Sequence, residues 1–185
     1  FDITNPNGNT SGNYSQYIKE AYDTIKRYIN CNYSQIFDES NKKNVSYVEY
    51  KYSNKKLWLI DLDETLFHSE FRTINNYKIL DHIKSKSKCQ IRTCTYSKGE
   101  YRIFFEVFLR PYLLEFLNEI KKYFDLAIFT AASKEYADTV IEYIDPNNKM
   151  FKFRLYRDAC IPLGYNILVK DLRIIKNYDP KNNIL

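Results

Sequence analysis

Asp61 and Asp63 stand one residue apart, directly after the apolar run Leu57-Trp58-Leu59-Ile60. Such a run reads as a buried parallel strand, and the carboxyl end of a strand is where open α/β sheets bind ligands. Past the strand the chain leaves the sheet, so the first carboxylate can face a reacting group while the second leans in from the loop. That pair suits phosphoryl chemistry. One carboxylate can act as nucleophile and the other as general acid and base, with a divalent cation between them and a phosphate. Two carboxylates crowded beside a strand end repel unless a cation joins them, which weighs against a plain solvated turn.

Thr130 ends a second apolar run, Leu126-Ala127-Ile128-Phe129, just before a stretch with helical spacing. Its hydroxyl and the following backbone N–H groups can hold phosphate oxygens at the positive end of that helix. Alone, Thr130 reads as a simple helix cap; beside Asp61 on a neighbouring strand it reads as a phosphate group holder.

The segment Asp61-Leu62-Asp63-Glu64-Thr65-Leu66-Phe67-His68-Ser69 resembles the signature of the haloacid dehalogenase superfamily of phosphotransferases. Within it, the pattern is similar to the small phosphatases acting on the RNA polymerase II C-terminal domain, the NLI-interacting factor-like branch. Phe129-Thr130-Ala131-Ala132-Ser133-Lys134-Glu135-Tyr136-Ala137-Asp138 resembles the Phe-Thr-Ala-Ser-x-x-x-Tyr-Ala-Asp of the same branch. Val169-Lys170-Asp171-Leu172 matches its lysine motif. The resemblance implies Asp61 as the nucleophile of an aspartyl-phosphate and Asp63 as general acid and base. It implies Thr130 on the phosphate, Lys170 as the balancing cation, and Mg²⁺ held by the Asp61 carboxylate and the Asp63 main-chain carbonyl. Thr65, Phe71, Tyr136 and Arg157 (in Arg157-Asp158-Ala159-Cys160) are the implied substrate-binding residues. Ser133 departs from the branch, whose members usually carry an apolar residue there, so the same peptide preference does not carry over. The branch's second acidic motif follows a strand after the lysine motif. Here that apolar run starts at Ile184-Leu185, so a further metal ligand is expected beyond Leu185.

The elements that must position these residues alternate as β-α-β-α-β, which predicts a Rossmann-like parallel sheet of the haloacid dehalogenase kind. Arg110-Pro111 opens a helix with Tyr112, Leu113, Phe116, Leu117 and Ile120 as its apolar face. A helix from about Lys134 to Ile144 is stopped by Asp145-Pro146, and Phe151 to Tyr156 is a short strand. Residues 70 to 108 lack a clear helix, and Thr95 to Leu109 is β-rich. A small antiparallel β insertion is expected at about 70–109, joined by the Lys/Ser-rich loop at 84–88. Ahead of the catalytic strand, Tyr14, Tyr17, Ile18, Ala21, Tyr22, Ile25, Tyr28 and Ile29 recur at helical spacing and predict an N-terminal amphipathic helix. An edge strand is expected over Val45 to Tyr52. Residues 1–12 are turn-formers, extended or disordered. The expected domains are a 1–55 extension and a 56–185 catalytic domain lacking its final part.

The 185-residue chain is rich in Tyr, with 18, and Phe, with 12, against one Trp and one Met. Together with its abundant Asn, Lys and Ile, this reads first as codon bias. The net charge of +5 is spread out, without the basic stripe and interleaved aromatics of a nucleic-acid surface. Cys31, Cys89, Cys94 and Cys160 have no disulfide-framework spacing, and Cys89/Cys94 lacks a second pair to complete a zinc site. Free thiols point to a reduced, intracellular setting, nuclear or cytoplasmic. No apolar stretch reaches the roughly 18 residues of a membrane span.

The expectation is therefore a Mg²⁺-dependent serine/threonine protein phosphatase taking a phosphoprotein or phosphopeptide, with the RNA polymerase II C-terminal domain a candidate substrate. Neither nucleic acid nor membrane is an expected partner. Two rivals stand beside it: a non-catalytic phosphatase-like binding domain, of the mitochondrial import receptor type, and a small-metabolite phosphatase.

Overall fold

The computed structural model describes residues 48–51, 53–162, 167–176 and 183–184, with 19–20, 22–23 and 26–27 nearer the N-terminus. The chain divides into two units. One takes Phe1–Ser46 and Ile161–Val169; the other takes Tyr47–Cys160 and Lys170–Leu185. In the first, β7 (Ile161–Pro162) and β8 (Leu168–Val169) form a two-residue antiparallel pair.

The second unit is built on a parallel sheet. Its full strands are β1 (Lys56–Ile60), β5 (Phe124–Phe129) and β6 (Phe151–Leu155), and a two-residue β9 (Asn183–Ile184) lies beside β1. The order is β6-β5-β1-β9, with β1 parallel to both neighbours. Strand β5 reads Phe-Asp-Leu-Ala-Ile-Phe and is buried from Asp125 onward, as a central parallel strand covered on both faces must be. Helices α2 (Leu113–Ile120) and α3 (Lys134–Ile144) are the crossovers. Helix α3 buries Tyr136, Ala137, Val140, Ile141 and Ile144, a stripe at helical spacing, and its last turn ends at Asp145. These side chains join Ile60, Leu62, Leu126 and Ile128 in one core.

A three-stranded antiparallel sheet, β2-β4-β3, comes from β2 (Phe67–Phe71), β3 (Ile91–Lys98) and β4 (Tyr101–Leu109). Strands β3 and β4 turn on Gly99-Glu100, where Gly99 takes φ +61°, the left-handed geometry two-residue hairpins ask for. Glu106 in β4 is fully buried, yet both oxygens are engaged. Arg72 Nε donates at 2.5 Å and Thr93 Oγ1 at 2.9 Å, and Lys84 Nζ lies 3.0 Å away. Burial alone would push this carboxyl up. Lys84, Thr93 and Arg72 outweigh that and hold it below the usual carboxylate range.

Several expectations change here. Residues Tyr77–Lys86 form a helix, α1, where no clear helix was expected and where the 84–88 loop was placed. Its sequence pattern is weak because only Leu80 is buried while Ile79 and Ile83 face solvent. Tertiary ties hold it instead: Lys84 to Glu106, and Asp81 to Arg72 at 3.1 Å. The antiparallel sheet also starts earlier than expected, at Phe67. Helix α2 begins at Leu113, after a left-handed Tyr112 (φ 62°), so Pro111 lies in the preceding turn. Of its expected face only Leu113 and Leu117 are buried, while Tyr112 and Phe116 are exposed. At Val45 to Tyr52 the described residues show one bridge, Val48 to Ile175. The expected helix from Tyr14 lies largely outside the described residues, although Lys19, Glu20, Tyr22, Asp23, Lys26 and Arg27 are helical. Residues 1–12 and Cys31 also lie outside them. Cys89, Cys94 and Cys160 are free thiols.

Candidate active site

Strand β1 delivers Asp61 to the carboxyl end of the sheet, and a tight turn then carries Asp63 back over it. The Leu66 and Thr65 amides both donate to the Leu62 carbonyl, at 2.8 and 3.1 Å, and the Glu64 amide donates to the Phe67 carbonyl at 2.9 Å. Glu64 sits at φ 59° without being glycine, a conformation of the strained kind that concentrates at functional sites. Arg110 clamps the turn from outside, its Nε donating to the Thr65 carbonyl at 2.5 Å and Nη2 to that of Glu64 at 2.9 Å.

Asp61 is 41% exposed at its side chain and has one oxygen for each of two partners. The Leu62 amide donates to Oδ1 at 2.8 Å, and Lys170 Nζ lies 2.5 Å from Oδ2. The lysine follows β8 and precedes a 3-10 turn at Leu172–Ile174 that Asp171 caps through the Arg173 amide. Thr130, at the end of β5, is 1% exposed, and its hydroxyl accepts the Ala132 amide at 3.0 Å. This bond fixes the Thr130 hydroxyl in the turn entering α3. Behind it the buried Cys160 thiol, pushed up to about 11 by burial, stays protonated at neutral pH.

Asp63 Oδ1 accepts the Tyr136 hydroxyl at 2.5 Å, and Ser69 Oγ lies 2.7 Å from the same phenol oxygen. Burial pushes the Asp63 carboxyl up, the Tyr136 bond opposes it, and the charges of Asp61 and Glu64 push further; the balance is upward. A raised carboxyl is what a proton donor needs, while its partner Asp61 keeps a lysine at contact distance.

A groove of about 700 Å³ gathers Asp61, Asp63, Thr130, Phe71, Tyr136 and Arg157, all residues expected in the site. Phe71 is exposed there. Arg157 is fixed by its Nε, which donates to the Ala131 carbonyl at 2.7 Å. Lys170 reaches Asp61 from beside the groove. Thr65 does not line it. It lines a cavity of about 910 Å³ on the other side of Asp61, walled by Trp58, Ile60, Pro111, Phe116 and Phe129. That larger space is chiefly apolar and meets the chemistry only at Asp61 and Lys170. Tyr136 is buried at 7% exposure, so its hydroxyl serves Asp63 as well as the groove wall. Sequence reasoning missed Ser69, Tyr96 and Lys98 on this groove. Ser69 belongs to the motif already singled out, while Tyr96 and Lys98 follow only from strand β3 folding across the site.

Among the described residues no group of three or more His, Cys, Asp or Glu is arranged to enclose a metal ion. Mg²⁺ asks for less than such a cage, since it keeps several waters and takes one or two carboxylates with a substrate phosphate. The Asp61 carboxylate and the Asp63 main-chain carbonyl are hard oxygen donors, and the two residues are close enough that the charge on Asp61 helps to raise the Asp63 carboxyl. The donor set present fits that ion.

The sequence profile of the "NLI interacting factor-like phosphatase" family matches residues 56–185. Nuclear envelope morphology protein 1 of Saccharomyces cerevisiae is 35% identical over 127 residues, 66% of this chain and 26% of that protein. CTD small phosphatase-like protein 2 of Dictyostelium discoideum is 34% identical over 126 residues, 68% of this chain and 20% of that protein. The chain thus spans about a fifth to a quarter of the length of these curated relatives. Among solved structures, the fission yeast RNA polymerase II CTD phosphatase Fcp1 bound to beryllium fluoride aligns with a TM-score of 0.55 at 25% identity. That alignment covers 70% of this chain and 36% of the other.

Proposed function

The chain belongs to the NLI interacting factor-like phosphatase family, and from that premise we propose that it is a Mg²⁺-dependent protein serine/threonine phosphatase working through an aspartyl-phosphate on Asp61. Residues 56–185 are the proposed catalytic domain, with 1–55 an N-terminal extension. The observation that carries the reading is the Asp61–Lys170 contact of 2.5 Å, at a groove that also holds Thr130 and a raised Asp63. A lone surface ion pair would contribute little. This one joins a half-exposed carboxylate to a cation where a phosphoryl group would arrive.

Asp61 Oδ attacks phosphorus while the bond to the serine or threonine oxygen breaks, and Asp63 gives its proton to that leaving oxygen. Asp63, now a carboxylate, takes a proton from water as the water attacks the phosphorus of the acyl phosphate, which frees inorganic phosphate and restores Asp61. Lys170 and the Thr130 turn balance and orient the phosphoryl oxygens, so the chemistry is mostly positioning and electrostatics. Mg²⁺, held by the Asp61 carboxylate and the Asp63 main-chain carbonyl, would supply positive charge against the phosphate oxygens.

The groove supports a phosphopeptide rather than a small metabolite. Its walls run from Phe71 and Tyr96 to Lys98, Glu135 and Arg157, a mixed surface for side chains flanking a phosphoresidue. Relatives named for CTD phosphatases support a phosphoprotein substrate, and a phosphorylated RNA polymerase II C-terminal domain is the first candidate. Names that point to the nuclear envelope and to RNA polymerase II support a nuclear or cytoplasmic location. The test is hydrolysis of an aryl phosphate and a phosphoserine peptide with and without Mg²⁺. Turnover that needs Mg²⁺ and vanishes in Asp61→Asn is expected; a folded chain that only binds the peptide would favour a non-catalytic module.

A further inference from the structure

We propose that the Tyr136 hydroxyl is a positioning group that fixes the Asp63 carboxyl for proton transfer to the leaving oxygen, with Ser69 fixing Tyr136 in turn. The inference rests on the reading of Asp63 as general acid and goes beyond it by naming what aims that acid.

Three elements meet at one phenol oxygen: the loop after β1 with Asp63, strand β2 with Ser69, and the first turn of α3 with Tyr136. The phenol has a single proton. At 2.5 Å from Asp63 Oδ1 that proton goes to the carboxyl, so the Ser69 hydroxyl, 2.7 Å away, must be the donor in the second bond. The chain of donors therefore runs one way, from Ser69 to Tyr136 to Asp63. Occupying Oδ1 leaves Oδ2 as the oxygen that can carry and deliver a proton.

The ring is held as firmly as the hydroxyl. Phe105, fully buried, lies 5.0 Å from it between centroids; Phe71 lies at 5.8 Å and Tyr96 at 5.9 Å. Tyr136 is consequently clamped by its ring and committed by its hydroxyl. Phe71 and Tyr96 also line the groove, so the aromatic wall that meets the substrate is continuous with the group that aims the acid.

Two substrates separate positioning of a proton donor from general structural support. A phosphoserine peptide leaves as an alkoxide that needs a proton, whereas p-nitrophenyl phosphate leaves as a stable phenolate that does not. Values of kcat/KM report the first chemical step, the transfer to Asp61. Tyr136→Phe, which keeps the ring, is expected to lower kcat/KM for the phosphoserine peptide by about tenfold to a hundredfold. The aryl phosphate should lose about tenfold less, so the ratio of the two kcat/KM values carries the result. Ser69→Ala should shift the same ratio in the same direction by a smaller factor, and it carries the comparison if Tyr136→Phe fails to fold. Proportionate losses on both substrates, or no loss on either, overturn this inference. They leave the assignment of Asp61 standing, because Asp61→Asn tests that separately on the aryl phosphate. A parent chain that turns over neither substrate overturns both readings together.

Discussion

Asp61 and Glu106 are both carboxylates gripped by cations, and they sit in neighbouring parts of one unit, yet they are built for opposite ends. Glu106 is sealed in β4 with Arg72, Lys84 and Thr93 around both oxygens. Nothing is left for a substrate to use. Asp61 has one lysine and one amide, remains 41% exposed, and opens on a groove. A saturated carboxylate holds a fold together; an unsaturated one with a cation at hand can react. The number of remaining lone-pair sites, more than the presence of an ion pair, separates the structural centre from the chemical one.

That contrast predicts that damage to the two centres will appear in different measurements. Asp61→Asn should lower aryl phosphate turnover by at least about a thousandfold, as loss of a nucleophile does, and leave the thermal midpoint nearly unchanged. A stability loss of the same rank would erase the distinction. Lys170→Ala should reduce turnover by about a hundredfold, the scale of a lost electrostatic contact to the transition state. Steady-state kinetics alongside thermal melts of the folded variant would check it. Glu106→Ala should do the reverse, destabilising the chain by about 2 kcal/mol in a urea titration. This value lies between an exposed pair and an enclosed one, because Arg72 and Lys84 keep partial contact with water. Turnover per folded molecule should stay near the parent's.

The pH dependence of stability sharpens the same point. Glu106 is held below its unfolded ionisation, so its contribution is fully present above about pH 4.3, the ordinary Glu value, and is lost as pH falls through the lower folded value. The parent chain should therefore lose stability in that acid window faster than Glu106→Gln does. Parallel curves would mean the network is not worth its burial. The smallest effect is expected at the exposed Lys122–Glu119 pair, 2.6 Å apart on the surface. Lys122→Ala should leave both the melt and the turnover without a resolvable change.

How much of this was legible in the sequence depended on where each residue's partner lies. Strands β1 and β5 are near-continuous apolar runs, and α3 ends where Asp145-Pro146 says it must, so local pattern placed them. Helix α1 escaped because Ile79 and Ile83 break the expected burial, while its anchors are Glu106 of β4 and Arg72 just past the end of β2. The turn at Asp63 was visible as a motif, but its pairing was not: Tyr136 is 73 residues away, and its own motif points to the substrate rather than to Asp63. The place of Thr65 was hidden for a related reason. Its place in the motif suggests the substrate side, yet the tight turn that lifts Asp63 aims Thr65 toward the apolar cavity.

The most direct test of the account is to find where the phosphoryl group goes. The chain is mixed with a phosphoserine peptide or aryl phosphate and Mg²⁺, quenched in acid during turnover, and treated with borohydride, which reduces an acyl phosphate to an alcohol. Peptide mass spectrometry then locates the reduced carboxyl. Reduction at Asp61 is expected, absent without substrate and diminished in Lys170→Ala. Turnover accompanied by reduction at Asp63, or by no reduced carboxyl at all, would contradict it.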